Sequence, residues 1–238
     1  MKKYTKIFVS LTLAAFSMAF VAMAESTESV DATVSMEVNT FEDEEVQDRA
    51  LSDWDGRWQS AYPFALDGSL DEAFDLLATS GKMTAKEYKE YFENALETDI
   101  AFISIDGENN TIEYEYMDGH TSKSEYQYVG CYIQEWSGGT KAALYRFEAL
   151  DKDAGAPIYI ELNDHIIKPA KSGYFHFRSS DTGFDDIEDP ENRWAKFYPA
   201  DLNAEELQEA FILHDHTLDS SAVTVPVPAD ETETEPIT

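Results

Sequence analysis

The sequence predicts a mainly β protein: an antiparallel meander that closes into a barrel or stacks into a sandwich, with α-helices on its flanks. Three observations predict it. From Ile100 onward apolar side chains recur with a period of two, the turn pairs Asp106-Gly107 and Asp118-Gly119 and the run Ser137-Gly138-Gly139 punctuate that stretch, and no repeat of roughly 20 to 50 residues points to a solenoid. Closure is favoured because it leaves no unpaired strand edge.

Taken in order, the first residues read Lys2, Lys3 and Lys6, an apolar run from Ile7 to Val21, then Ala22-Met23-Ala24. This is the layout of a cleavable signal peptide over residues 1–24. The run is short for a transmembrane helix, no second run approaches its length, and no cysteine follows Ala24 to carry a lipid, so a secreted chain without membrane insertion is expected, periplasmic or extracellular. Residues 25–40 form an acidic linker and residues 217–238 an acidic Ser/Thr/Pro tail, both too poor in apolar residues to offset the entropy of ordering. The domain is expected over residues 41–216.

Within it, Leu70, Ala73, Phe74 and Leu77 fall on one face of a helix over Ser69–Thr79. Thr84-Ala85-Lys86-Glu87 has the spacing of a capping box and opens a second helix carrying Tyr88, Tyr91, Phe92 and Leu96. Strands are expected over Ile100–Ile105, Thr111–Met117, Glu125–Trp136, Lys141–Leu150, Ile158–Leu162 and Tyr174–Arg178. A last helix runs from Ala204 to His214 behind Asn203. The chain is 43% hydrophobic and 13% aromatic, which suffices for one core of this length without a disulfide, and Cys131 is the only cysteine.

Formal charge is −31, and loss of the three leader lysines lowers it by three to −34. A field of this sign disfavours nucleic acid and anionic membrane as partners and favours cations and basic proteins, although most of the carboxylates serve solubility. Zinc prefers nitrogen and sulfur ligands, so a zinc site here must draw on His120, His165, His176, His214 and His216, helped by carboxylates. His120 follows Asp118-Gly119 in a hairpin and reads as an ordinary exposed histidine. In Tyr174-Phe175-His176-Phe177, alternation places Tyr174 and His176 on one face and the two phenylalanines on the other. That would put His176 in the lumen or at the mouth of a barrel, with His165 near enough in sequence to meet it across neighbouring strands. His214 continues the stripe of Leu207 and Phe211, and His214 and His216 at i and i+2 do not face each other on a helix. No G-x-S-x-G, H-E-x-x-H or phosphate-cradling glycine loop is present, so no catalytic constellation stands out.

Longer motifs carry a resemblance. Leu51-Ser52-Asp53-Trp54-Asp55-Gly56-Arg57-Trp58-Gln59-Ser60-Ala61-Tyr62-Pro63 resembles the opening motif of the ZinT (YodA) family. Asp164-His165-Ile166-Ile167-Lys168-Pro169 with Tyr174-Phe175-His176-Phe177 resembles its metal-binding segment, and Trp194–Pro199 with Glu205-Glu206-Leu207 its closing part. The resemblance implies a calycin-like, lipocalin-type barrel in which Gly56-Arg57-Trp58 starts the first strand. It also implies three histidine ligands for Zn2+ near the barrel mouth, one from the D-H-I-I-x-P segment and two from an H-x-H. His165 and His176 match, whereas Tyr174 stands where the first histidine of the H-x-H belongs. The histidine-rich stretch that some members carry near the mature N-terminus or in a loop is absent, and Ser124 and Ala149 stand where some members carry a cysteine pair.

A phenol with an ordinary pKa of about 10 costs roughly 4 kcal/mol to deprotonate at pH 7, whereas a neutral imidazole binds without that cost. The metal set expected is therefore His165 and His176, completed by a water and a carboxylate or by a histidine from the C-terminal end, with Tyr174 beside the metal rather than necessarily on it. The implied function is zinc buffering, or zinc delivery to the binding protein of an uptake transporter, and not catalysis. The alternative is a lipocalin-like carrier of a small organic ligand, separable by whether the lumen is open or filled. A zinc hydrolase is a third class, for which the sequence supplies neither general base nor cleft.

Overall fold

The computed structural model describes residues 41–135, 140–187 and 193–214. The leader, the linker, the C-terminal tail, Trp136 to Gly139 and His216 lie outside them.

Eight antiparallel strands close on themselves in chain order: β1 Gly56–Ser60, β2 Ile100–Asp106, β3 Thr111–Tyr116, β4 Thr121–Glu135, β5 Lys141–Ala149, β6 Tyr159–Asn163, β7 Phe175–Ser180 and β8 Ala195–Pro199. β8 returns to β1 through the pairs Trp58 with Pro199 and Ser60 with Phe197, which closes the barrel. This is the antiparallel calycin-like barrel with flanking helices that the sequence predicts. β1 and β8 emerge as regular strands in addition to the six read from periodicity.

Alternate residues of successive strands meet in one buried cluster: Ile103 and Ile105, Ile112 and Tyr114, Tyr145 and Phe147, Ile160 and Leu162, Phe175 and Phe177, Ala195 and Phe197. A cluster drawn from every second residue around a closed sheet is its interior. Trp58 joins it at 3% exposure, its Nε1 donating to the Trp54 carbonyl, and none of these side chains is more than 5% exposed. The lumen is thus filled by side chains.

The helices α1 Tyr62–Leu66, α2 Asp71–Ala78 and α3 Ala85–Ala95 lie between β1 and β2, and α4 Ala204–Leu213 follows β8. The expected capping box forms at Thr84, whose side chain accepts from the Glu87 amide while the Glu87 carboxylate accepts from Thr84. A second box forms at Asn203, which accepts from the amides of Glu205 and Glu206. Their apolar faces make a second core from Phe74, Leu77, Tyr88, Phe92, Leu207 and Phe211, which includes Tyr174 and Tyr198 from the β7 and β8 wall. Helices therefore cover the outer face of that wall.

Candidate metal centre

β6 ends at Asn163, and the chain then turns sharply. The Asp164 carboxylate accepts the Ile166 amide at 3.1 Å, and His165 between them adopts φ +63°, a left-handed conformation costing a non-glycine residue about 1 to 2 kcal/mol. The turn aims His165 back at β7. There His176 pairs in register with Asn163 on one side and Lys196 on the other.

The side-chain alternation on β7 is as expected, but the polar face is the outer one. Phe175 and Phe177 fill the lumen, so His176 points away from it, and of the two places expected for this histidine, lumen or mouth, the lumen is excluded. The reason is the hydrophobic effect: the barrel interior accepts the phenyl rings and leaves imidazole to the wall beneath the helices.

On this outer wall the rings of His165 and His176 lie 5.4 Å apart, centre to centre, and nearly perpendicular. A zinc about 2.0 to 2.1 Å from one nitrogen of each imidazole sits roughly 3.2 Å from each ring centre, so a tetrahedral angle would separate the centres by roughly 5.2 Å. The observed spacing fits one shared ion. Tyr174 lies just before β7 with its ring 5.8 Å from His176 and 6.4 Å from His165, and its carbonyl accepts the Ser172 hydroxyl at 2.6 Å.

α4 brings a further imidazole. Leu207 and Phe211 anchor the helix in the second core, and His214 at its C-terminus stacks on Tyr174 at 3.9 Å. Its Nδ1 lies 2.7 Å from the Ala210 carbonyl, which can only accept, so Nδ1 carries the proton and the lone pair of the neutral ring is on Nε2. A ligating histidine characteristically donates its other ring N–H to a carbonyl in this way.

Other groups frame the cluster. Trp194 meets His176 edge-on at 5.6 Å, and the Arg178 guanidinium covers Trp194 at 3.9 Å while pairing with the buried Glu161. Lys196 is buried, its ammonium 4.8 Å from the ring centre of Phe211 and 5.6 Å from that of Phe92.

His120 takes no part in this cluster: in the β3–β4 hairpin it pairs with Asp118 at 2.5 Å and stacks on Tyr116. Burial pushes the Cys131 thiol up to about 11, with Asp48 adding to the effect, which makes it a poor thiolate donor. Among the described residues no group of three or more His, Cys, Asp or Glu side chains is gathered closely enough to hold an ion alone. The His165–His176 pair therefore needs Tyr174, water or a small approach of His214 to complete a coordination shell. The stacking of His214 on Tyr174 was not read from sequence, although the stripe Leu207, Phe211, His214 pointed that helix face at the wall.

A closed eight-stranded barrel with two converging imidazoles and the motifs quoted above defines a lipocalin-like metal-binding domain, and the chain belongs to the ZinT (YodA) family, periplasmic lipocalin-like zinc-recruitment proteins, which it matches over residues 32–214. Among its relatives, the zinc-binding lipoprotein AdcA of Streptococcus pneumoniae (strain ATCC BAA-255 / R6) is 37% identical over 188 residues, covering 79% of this chain and 37% of AdcA. The probable metal-binding protein YrpE of Bacillus subtilis (strain 168) is 33% identical over 175 residues, covering 73% of this chain and 68% of YrpE. The Zn(II)-bound ZinT-like domain of Streptococcus pneumoniae AdcA superposes with a TM-score of 0.69 at 38% identity, over 73% of this chain and 96% of that domain. The chain thus spans little more than a third of AdcA and nearly all of AdcA's ZinT-like domain.

Proposed function

We propose that this chain binds Zn2+ outside the cytoplasm through His165 and His176, and buffers the ion or passes it to the binding protein of a zinc-uptake transporter. The observation that carries the reading is the 5.4 Å separation of two perpendicular imidazoles on one outer wall. His214, held against Tyr174 at the end of α4, would supply a third nitrogen after a small approach, and Tyr174 would hydrogen-bond a water on the ion rather than give up its phenolic proton. The function is recruitment and not catalysis. A site on the outer wall, covered by one helix end, also suits an ion that must be passed on.

Zinc recruitment by the family and zinc binding by AdcA support zinc as the cargo, the likeness to YrpE supports a metal ion, and the acidic chain supports attraction of a cation. The filled lumen counts against a carrier of small organic ligands.

Zinc titration against a competing chelator tests the assignment. His165→Ala and His176→Ala are each expected to weaken binding by at least about 10- to 100-fold, while His120→Ala leaves it unchanged. Equal losses in all three variants would contradict the site.

A further inference from the structure

The loop that carries His165 runs from Asp164 to Ala170 and is gripped at several points by the segment just before β1. Arg49 lies at the centre of the grip. Its Nη1 donates to Asp164 Oδ1 at 2.6 Å and to the Ile166 carbonyl at 3.1 Å, its Nη2 donates to the Ala170 carbonyl at 2.7 Å, and its Nε donates to Asp53 at 2.8 Å. Asp53 in turn accepts the Ala170 amide at 3.1 Å, so one guanidinium and one carboxylate fasten both ends of the loop. The guanidinium is itself fixed, lying over the Trp54 ring at 4.0 Å with its side chain fully buried.

Two of the Arg49 contacts bracket His165 directly, at Asp164 and Ile166. His165 is one of only two non-glycine residues with positive φ among the described residues, so its backbone is held in a conformation that it would otherwise leave. A ligand must be kept within about 0.5 Å of its productive place for metal binding to be preorganised. We propose that Arg49 is a positioning residue for the metal centre: its planar fork locks the left-handed turn and so faces the His165 imidazole toward His176.

A lysine cannot replace it, because one ammonium cannot bond Asp164, Ile166, Ala170 and Asp53 from a single rigid plane. The same strap reaches the loop at Gln47, whose amide donates to the Ile167 carbonyl, and at Ser172, whose amide donates to the Asp53 carbonyl. These bonds keep the loop near the barrel when the fork is lost, so the geometry at His165 should suffer more than the fold.

The inference rests on the reading of His165 as a zinc ligand, and a double-mutant cycle on the full chain separates the two. Zinc affinity, the visible spectrum of bound Co2+ and the melting temperature of the metal-free protein are measured for the parent, Arg49→Lys, His165→Ala and the double variant. Arg49→Lys is expected to weaken zinc about 10- to 100-fold and to change the Co2+ spectrum, yet to have no further effect on affinity once His165 is alanine. Should Arg49→Lys fail to fold, Asp53→Asn carries the same prediction at smaller amplitude. Parental affinity in the arginine variant, or an equal loss with and without His165, overturns the clamp alone. Parental affinity in His165→Ala overturns the metal site on which it rests.

Discussion

At the residue scale the chain differs from the family pattern at Tyr174, where a histidine of the H-x-H is expected. The ring lies within 6.4 Å of His165 and 5.8 Å of His176, so a histidine at this position would stand beside the same ion. Tyr174→His is expected to tighten zinc binding about 10-fold or more, because an imidazole ligates without first losing a proton. A zinc titration checks it. Unchanged or weaker binding would mean that the phenol already ligates, or that the site is tuned to a harder ion for which oxygen is the better donor. The motif made His165 and His176 legible as a pair, and alternation put Tyr174 and His176 on one face. Phe175 and Phe177 mark the face that the barrel interior takes, so the outward face follows from the same alternation; what local pattern does not carry is that helices cover the polar face and bury it. Arg49 was likewise hidden: nothing in a lone arginine ahead of a tryptophan motif signals contacts with a loop 115 residues away.

At the scale of elements, the long strands and the capped helices were legible from periodicity and from the Thr84 and Asn203 caps. β1 and β8 have only five residues each, and β8 reads Ala-Lys-Phe-Tyr-Pro with both faces buried, which erases the alternation that marks a half-buried strand. The short helix α1, Tyr62-Pro63-Phe64-Ala65-Leu66, is too brief to show a helical period. Turn chemistry carries more than connection. Gly107 closes the β2–β3 hairpin against the 3₁₀ turn Leu51–Trp54, where an added methyl group would lie 2.2 Å from Ser52 Cα and 2.6 Å from its amide nitrogen. Backbone cannot yield that distance cheaply. Gly107→Ala is expected to destabilise the protein by about 3 kcal/mol, roughly 6 to 12 °C in melting temperature, measurable by thermal unfolding of the metal-free chain. A shift below about 2 °C would show that the hairpin tip is loosely docked.

For the whole molecule, the division of labour follows from which surfaces the barrel buries. Aromatic and aliphatic residues fill the lumen, and the helices between β1 and β2 together with α4 cover one outer wall. The proposed metal centre lies on that covered wall, where His165, His176, Tyr174 and His214 converge from a turn, a strand and a helix end. Composition foretold one hydrophobic core and alternation the antiparallel meander, while the placement of the site depends on closure and helix packing, which no local pattern encodes. Ligand binding to the folded state alone must appear as stability, and this ties the site to the fold in one observable. Thermal unfolding of the full chain, with and without zinc at about 100 times its dissociation constant, should show a gain of about 2.7 kcal/mol, roughly 5 to 11 °C, for the parent. The same zinc concentration is expected to give no gain in a chain carrying both His165→Ala and His176→Ala. An equal gain in parent and double variant would place the ion elsewhere and contradict the outer-wall site.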